Sequence, residues 1–171
     1  MKKLLILGSG GYGKTVADLA RQLDCYDKIA FLDDNSIGEG ILGVCGEYQS
    51  FADGATHMYP AFGNNQTRMY WMKTLTDAEI TVPTLVHPRA YVSPTATLEQ
   101  GTVVLPMAVV NTGVTVKQGC IVNIGALIDH DSVIGAGTHL APGAIVKAEN
   151  RIPAGAKIES GTVVENRTYP L

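Results

Sequence analysis

Charge is scarce in this chain and gathers nowhere. Only 17% of the residues are charged, the formal net charge is −3, and no basic tract offers a nucleic-acid or anionic membrane surface. Aromatic residues are few, and their one cluster, at 69–72, falls in a helix-like stretch where packing explains it. No apolar run approaches the ~20 residues needed to cross a bilayer. The opening MKKLLILGSG carries two lysines like a signal peptide, but its apolar run starts at Leu4 and stops at Gly8, too short for an export core. A cytoplasmic location is therefore expected. Cys25, Cys45 and Cys120 are odd in number and make no CxxC pair, so they support neither a disulfide framework nor a zinc site. They read as buried or half-buried thiols.

What the chain does have is a repeat. From Val86 to Val164 every sixth residue is aliphatic, over fourteen blocks without a break in register. Four residues after each aliphatic position stands a mostly small residue, such as Ala90, Ala108, Cys120, Ala126 and Ser132. A six-residue period fits neither a helix of about 3.6 residues per turn nor a simple alternating ladder. It suits a coil of short straight segments joined by tight corners, with the aliphatic residue pointing inward and the small one where two walls converge. Val, Ile, Thr and Gly abound, which disfavours helix. The stretch resembles the hexapeptide-repeat acyltransferases, whose left-handed parallel β-helix takes three such blocks per triangular coil. That resemblance implies nearly five coils.

Ahead of the repeats, residues 3–8 read as a buried strand, 14–23 as a helix and 28–34 as a second strand ending in Asp33 and Asp34. Strand, glycine turn, helix and strand make a βαβ unit. Gly8, Gly10 and Gly13 satisfy GxGxxG in that context, and the acids follow about twenty residues on, as a dinucleotide site requires. Glycines let a backbone approach phosphate, and the helix N-terminus favours its charge. Only about eighty residues precede the repeats, room for one mononucleotide half. A nucleotide-linked sugar therefore fits better than a dinucleotide. A weak strand is expected at 41–44 and another at 58–62. The latter ends in GNNQTR (63–68), followed by a helix to about residue 75. Ligands in open α/β sheets bind outside such strand ends. Asn64 and Asn65 also suit helix N-capping, Asn65 above all. The expected fold is thus a Rossmann-like α/β domain over 1–82 and an all-β left-handed β-helix over 83–171.

Taken together, G-S-G-G-Y-G-K, F-L-D-D, G-N-N-x-x-R and I-D-H-D resemble the bacterial sugar-nucleotide acetyltransferases. These include sialic acid O-acetyltransferases and the UDP-4-amino-sugar N-acetyltransferases of bacillosamine synthesis. The resemblance implies an N-terminal domain that holds the sugar nucleotide and a β-helix that holds acetyl-CoA as co-substrate. It also implies a homotrimer with active sites between subunits. Gly10, Gly11, Tyr12, Asp33, Asp34, Gly63, Asn64, Asn65 and Arg68 would line the sugar-nucleotide site, with Tyr12 standing where many relatives have histidine. His130 would be the general base and Asp131 its tuning acid, where relatives often have Glu. Asn123 would orient His130 or the acceptor. His139 and Ser160 would contact the coenzyme.

Residue chemistry agrees with those roles. Histidine titrates near working pH, and a carboxylate beside it raises its basicity and fixes its tautomer. Direct transfer needs no nucleophilic Ser or Cys. His130 and His139 are nine residues apart, half a coil, so they stand on different sides of one prism. They can still serve one reaction across a subunit boundary, which is a separate reason to expect an oligomer. His57 and His87 read as exposed polar residues. A zinc hydratase on this fold would need three converging histidines, and the spacings of His87, His130 and His139 do not provide them, so no metal is expected. One departure bears on activity: only thirty-two residues follow His139, whereas relatives continue through further coils that wall the coenzyme. The expected activity is acetyl transfer from acetyl-CoA to the amino group of a UDP-4-amino-sugar; one rival is O-acetylation of sialic acid or a similar sugar, and the other a non-catalytic sugar-nucleotide-binding trimer that lost part of its coenzyme site. The charged end, 165–171, is expected to blunt the solenoid's open edge.

Overall fold

The computed structural model describes residues 1–35 and 37–170. Ser36, in the expected loop after the second strand, and Leu171, at the charged end, lie outside the described residues. The chain divides into two compact units, Met1–Pro83 and Thr84–Leu171.

The first unit is a four-stranded parallel sheet in the order β3-β2-β1-β4, with β1 at Lys3–Leu7, β2 at Lys28–Leu32, β3 at Ile41–Gly43 and β4 at Thr56–Pro60. Helix α1 (Gly11–Gln22) links β1 to β2, and α2 (Asn65–Asp77) follows β4. Parallel strands bury both faces and read as unbroken apolar runs, and Leu4, Leu5, Ile6 and Leu7 are all buried. Helix α1 starts three residues earlier than its apolar spacing suggests. Its first turn is made of the glycine-rich residues themselves, and Gly13 explains why. A Cβ there would stand 2.0 Å from the Gly8 carbonyl oxygen, so only glycine lets helix and strand approach this closely. The sequence reading missed a short 3-10 helix at Cys45–Phe51, which has no apolar periodicity to reveal it.

The second unit is a left-handed parallel β-helix. Among the described residues, fourteen two-residue strands, one per hexapeptide, stack into three flat faces. Face one holds Leu85–Val86, Val103–Val104, Ile121–Val122, His139–Leu140 and Lys157–Ile158. Face two holds Tyr91–Val92, Val109–Val110, Leu127–Ile128, Ile145–Val146 and Val163–Val164. Face three holds Thr97–Leu98, Thr115–Val116, Val133–Ile134 and Arg151–Ile152. Pairing is strictly one coil apart, as in Thr115 with Val133 and Val116 with Ile134. The repeating aliphatic residues form one core column set, with Val110, Val116, Val122, Ile128, Ile134, Leu140 and Val146 fully buried. Each such side chain contributes about 1.5–3 kcal/mol relative to exposure.

The small corner residues of the middle coils, from Thr102 to Asn150, are buried too, and their hydroxyls are satisfied. Thr102 donates to the Lys117 carbonyl, Ser132 to Lys147 and Thr138 to Pro153, each at the same corner of the next coil. At the charged end, the Tyr169 carbonyl accepts from the Arg151 N–H, and the Tyr169 N–H donates to Asn150 Oδ1. That end therefore covers backbone groups of the last face-three strand. Two expectations are corrected. Cys25 is exposed, while Cys45 and Cys120 are buried. His87 is buried, its Nδ1 accepting from the Arg89 N–H at 3.0 Å, and half-buried His57 bonds Tyr26. Desolvation lowers the pKa of both histidines, so neither is a plain surface group. No helix among the described residues is long and apolar enough to cross a membrane.

Ile134→Ala should lower the unfolding free energy by about 2–5 kcal/mol, because the side chain is fully buried among its stacked equivalents. Thr115→Ala, on the outward side of the same face, should change it by no more than ~0.5 kcal/mol. Urea unfolding followed by circular dichroism separates the two, and equal losses would mean the inward column is not the stabilising element.

Candidate functional site

In the first unit the C-terminal ends of β1, β2 and β4 lie side by side, and the three stretches singled out in sequence meet there. Asp33 Oδ2 accepts from the Ser9 N–H at 2.6 Å and from the Ser9 hydroxyl at 2.8 Å, tying the second strand's end to the glycine turn. Gly8 packs against Ala61 and Phe62, at the start of the third stretch. Asp34 Oδ1 accepts from the Cys45 N–H at 2.8 Å. Both acids thus hold loops in place while lining one side of a pocket of about 370 Å³ with Asn35, Ile41 and Val44. Burial, with Asp34 and Asp33 nearby, pushes the Cys45 thiol up to about 12.

The glycines divide by role. Gly8 and Gly13 are in close contact with neighbours, whereas Gly10, Gly11 and Gly63 have open space where a side chain would stand. Gly10 and Gly11 stand beside the orphan N–H groups of α1's first turn, and Gly63 follows β4. Asn64, not Asn65, caps α2: its Oδ1 accepts from the Thr67 N–H at 2.9 Å. Asn65 instead accepts from the Arg68 guanidinium at 2.8 Å, and Arg68 also donates to the Phe62 carbonyl. Arg68 is fully buried, so its geometry braces the turn from within. Tyr12 points at Tyr59, hydroxyl to hydroxyl at 2.8 Å. Burial and that neighbour push the Tyr12 phenol well above its ordinary pKa.

In the second unit His130 occupies the corner between faces two and three. Its Nδ1 lies 2.9 Å from Asp131 Oδ2, and its side chain is half exposed. Asp129 Oδ1 accepts the His130 backbone N–H at 2.7 Å and the Asn111 amide at 2.9 Å. The Asp131 bond, reinforced by the charges of Asp129, Asp131 and Glu149, raises the His130 pKa. The His130 N–H and Asn111 lower that of Asp129. Because the folded pKa of His130 is raised, the pair adds stability below the unfolded value and loses it as pH rises through the folded one. Nδ1–H held by a carboxylate leaves Nε2 as the basic atom. Asn111 was missed in sequence, although it sits one coil before Asp129 in the same register.

His139 lies on face one, on a different side of the prism from His130. Its Nε2 meets Asn123 Nδ2 at 3.0 Å. Within one chain, Asn123 therefore pairs with His139 and not with His130. Ser160 is exposed at the corner between faces one and two. Among the described residues, no group of three or more His, Cys, Asp or Glu side chains is placed to hold a metal ion.

A family model, the PglD N-terminal domain, matches residues 3–75. The acetyltransferase domain of PglB from Neisseria gonorrhoeae, solved in complex with acetyl coenzyme A, is 36% identical with a TM-score of 0.95, over 97% of this chain and 83% of that one. The chain belongs to the hexapeptide-repeat sugar-nucleotide acetyltransferases. Two more distant structures share the fold. PerB from Caulobacter crescentus, in complex with CoA and GDP-perosamine, is 23% identical over 100% of this chain and 92% of that one, with a TM-score of 0.85. WeeI from Acinetobacter baumannii is 21% identical over 96% and 81%, with a TM-score of 0.86. No curated protein matches the chain.

In this acetyltransferase the backbone at Asp131 is itself informative. Its φ is +55°, a left-handed conformation that glycine adopts without steric cost and that Asp tolerates better than most. A non-glycine residue held in that conformation at an exposed corner costs some backbone strain, which its contact with His130 accompanies. Asp131→Gly should keep the melting temperature within about 4 °C of the parent while lowering the His130 titration midpoint, because the carboxylate is gone. Calorimetry and NMR titration read these separately. A large loss of stability, or an unmoved midpoint, would contradict this account of the corner.

Proposed function

We propose that this protein transfers an acetyl group from acetyl-CoA to the amino group of a nucleotide-linked sugar, a UDP-4-amino-sugar, in the cytoplasm. The observation that carries the reading is the His130–Asp131 pair, with Nδ1 held at 2.9 Å and the ring half exposed. The sugar's nitrogen attacks the thioester carbonyl while Nε2 of His130 takes its proton. The new bond is N–C, the bond broken is C–S, and the departing thiolate recovers a proton to leave as free CoA. The imidazolium formed on His130 is stabilised by Asp131. The PglB domain that was solved with acetyl coenzyme A supports the choice of donor. Open backbone at Gly10, Gly11 and Gly63 supports sugar-nucleotide binding at the first unit's strand ends, with Asp33 and Asp34 alongside.

Assembly as a homotrimer through face two completes the reading. Its outward residues, Tyr91, Val109, Leu127, Ile145 and Val163, form an unbroken apolar column, with Tyr91 54%, Leu127 37% and Val163 43% exposed. The outward residues of face three are Thr97, Thr115, Val133 and Arg151, much more polar. One edge of face two carries His130, and the other leads to the corner of Asn123 and Ser160, beside His139. A three-fold contact through face two would set one subunit's His130 edge against its neighbour's His139 edge, which resolves their separation within a chain. His139, Asn123 and Ser160 would then serve the coenzyme side of the site.

Calorimetric titration with acetyl-CoA and with UDP-, GDP-, TDP- and CMP-sugars tests the substrates. Both ligand classes should bind, with the UDP-sugar preferred. Binding of the sugar nucleotide alone would convert the protein to a non-catalytic binder. His130→Ala should lower kcat by roughly 10²–10⁴-fold and leave sugar-nucleotide affinity nearly unchanged; turnover equal to the parent's would remove His130 from the mechanism. Leu127→Glu should yield monomers by light scattering and abolish transfer, since it buries a charge in the contact. A fully active monomer would refute a shared site.

A further inference from the structure

The corner between faces two and three differs from the other two corners. Each corner has a place where the backbone turns left-handed. Between faces three and one that place is Gly101, Gly119, Gly137 and Gly155; between faces one and two it is Met107, Gly125, Gly143 and Gly161. Between faces two and three it is Gly113, then Asp131, Glu149 and Arg167, with φ of 70°, 55°, 57° and 56°. Glycine survives there only at Gly113, one coil below Asp131.

Gly113 is also where Asp131 needs room. A Cβ built on Gly113 would stand 2.5 Å from Asp131 Oδ1 and 3.6 Å from its Cγ. The Asp131 N–H is fixed from the same lower coil, donating to the Thr112 carbonyl at 2.9 Å. The carboxylate is thus set over Gly113 by one oxygen and presents the other, Oδ2, to His130 Nδ1. A methyl group at 113 would leave the backbone in place and displace the exposed carboxylate, the softer partner.

We infer that Gly113 is a positioning residue for the general base: the missing side chain is the seat in which the Asp131 carboxylate rests while it holds the His130 ring. The inference rests on His130 acting as the base. Other charges near His130 are Asp129, held by Asn111, and Glu149, which pairs with Arg167. The three atoms nearest the Cβ position of Gly113 all belong to Asp131 and none to either of these.

The backbone itself supplies a control. Gly155 has the same φ as Gly113, 70°, and nothing within 4 Å of its Cβ position. Gly155→Ala therefore adds left-handed strain alone, whereas Gly113→Ala adds the same strain and the collision. The full-length protein is titrated by NMR on the His130 ring protons, and kcat/KM for acetyl transfer is followed against pH. Gly113→Ala should move the His130 midpoint downward and carry the acidic limb of the rate profile with it. Gly155→Ala should move neither, and Gly113→Ala should add nothing in an Asp131→Asn background. An unmoved midpoint in Gly113→Ala, an equal shift in Gly155→Ala, or a shift that persists without the carboxylate would each overturn the inference. A midpoint that falls while the rate limb stays put would confirm the seat and instead remove His130 as the base.

Discussion

Strict one-coil register in the β-helix is the constraint on which the other features depend. Each inner two-residue strand pairs with the strands one coil above and below, and each end strand with the one coil beside it, so a side chain's neighbours are fixed by counting. Inward positions must then be apolar and stack on themselves, as Val110, Ile128 and Val146 do. Corner positions must be small or must satisfy their polar atoms on the next coil, as Ser132 and Thr138 do. A slip of one residue would turn every inward side chain out. Register is therefore held by the whole core at once.

The same constraint builds the candidate site. Asn111 lies under Asp129, Gly113 under Asp131, and Glu149 above Asp131, all because of the coil length. Polar residues at a solenoid corner cost the core nothing, so chemistry can collect there without weakening the stack. The backbone strain at Asp131 is small and local, and the coils on either side over-determine it. His139 occupies a strand over Ile121, and its Asn123 partner comes from the coil below, two residues beyond that register position.

The first unit solves a different problem. Its parallel sheet brings three strand ends together, and the glycine turn must both pack and stay open. Gly8 and Gly13 serve packing, while Gly10, Gly11 and Gly63 stay open. Asp33 does two things at once, anchoring Ser9 while standing at the pocket's edge. Arg68 shows how a cation can be structural, buried with a carbonyl and an amide to satisfy it.

The sequence by itself determined a coil of short straight segments with one inward column, because a period of six is written fourteen times, and its resemblance to hexapeptide-repeat proteins implied the left-handed, three-faced form. It also determined the βαβ order of the first unit and the adjacency of His130 and Asp131, which are neighbours in the chain. Only the tertiary structure decided which asparagine caps α2 and that Arg68 is buried. It also decided that Asn123 meets His139 and that Asp131 rests over Gly113. Those outcomes hinge on side-chain direction and backbone φ. A repeat gives the address of each residue, but only the packed coils show which way it points and what stands a few ångströms away.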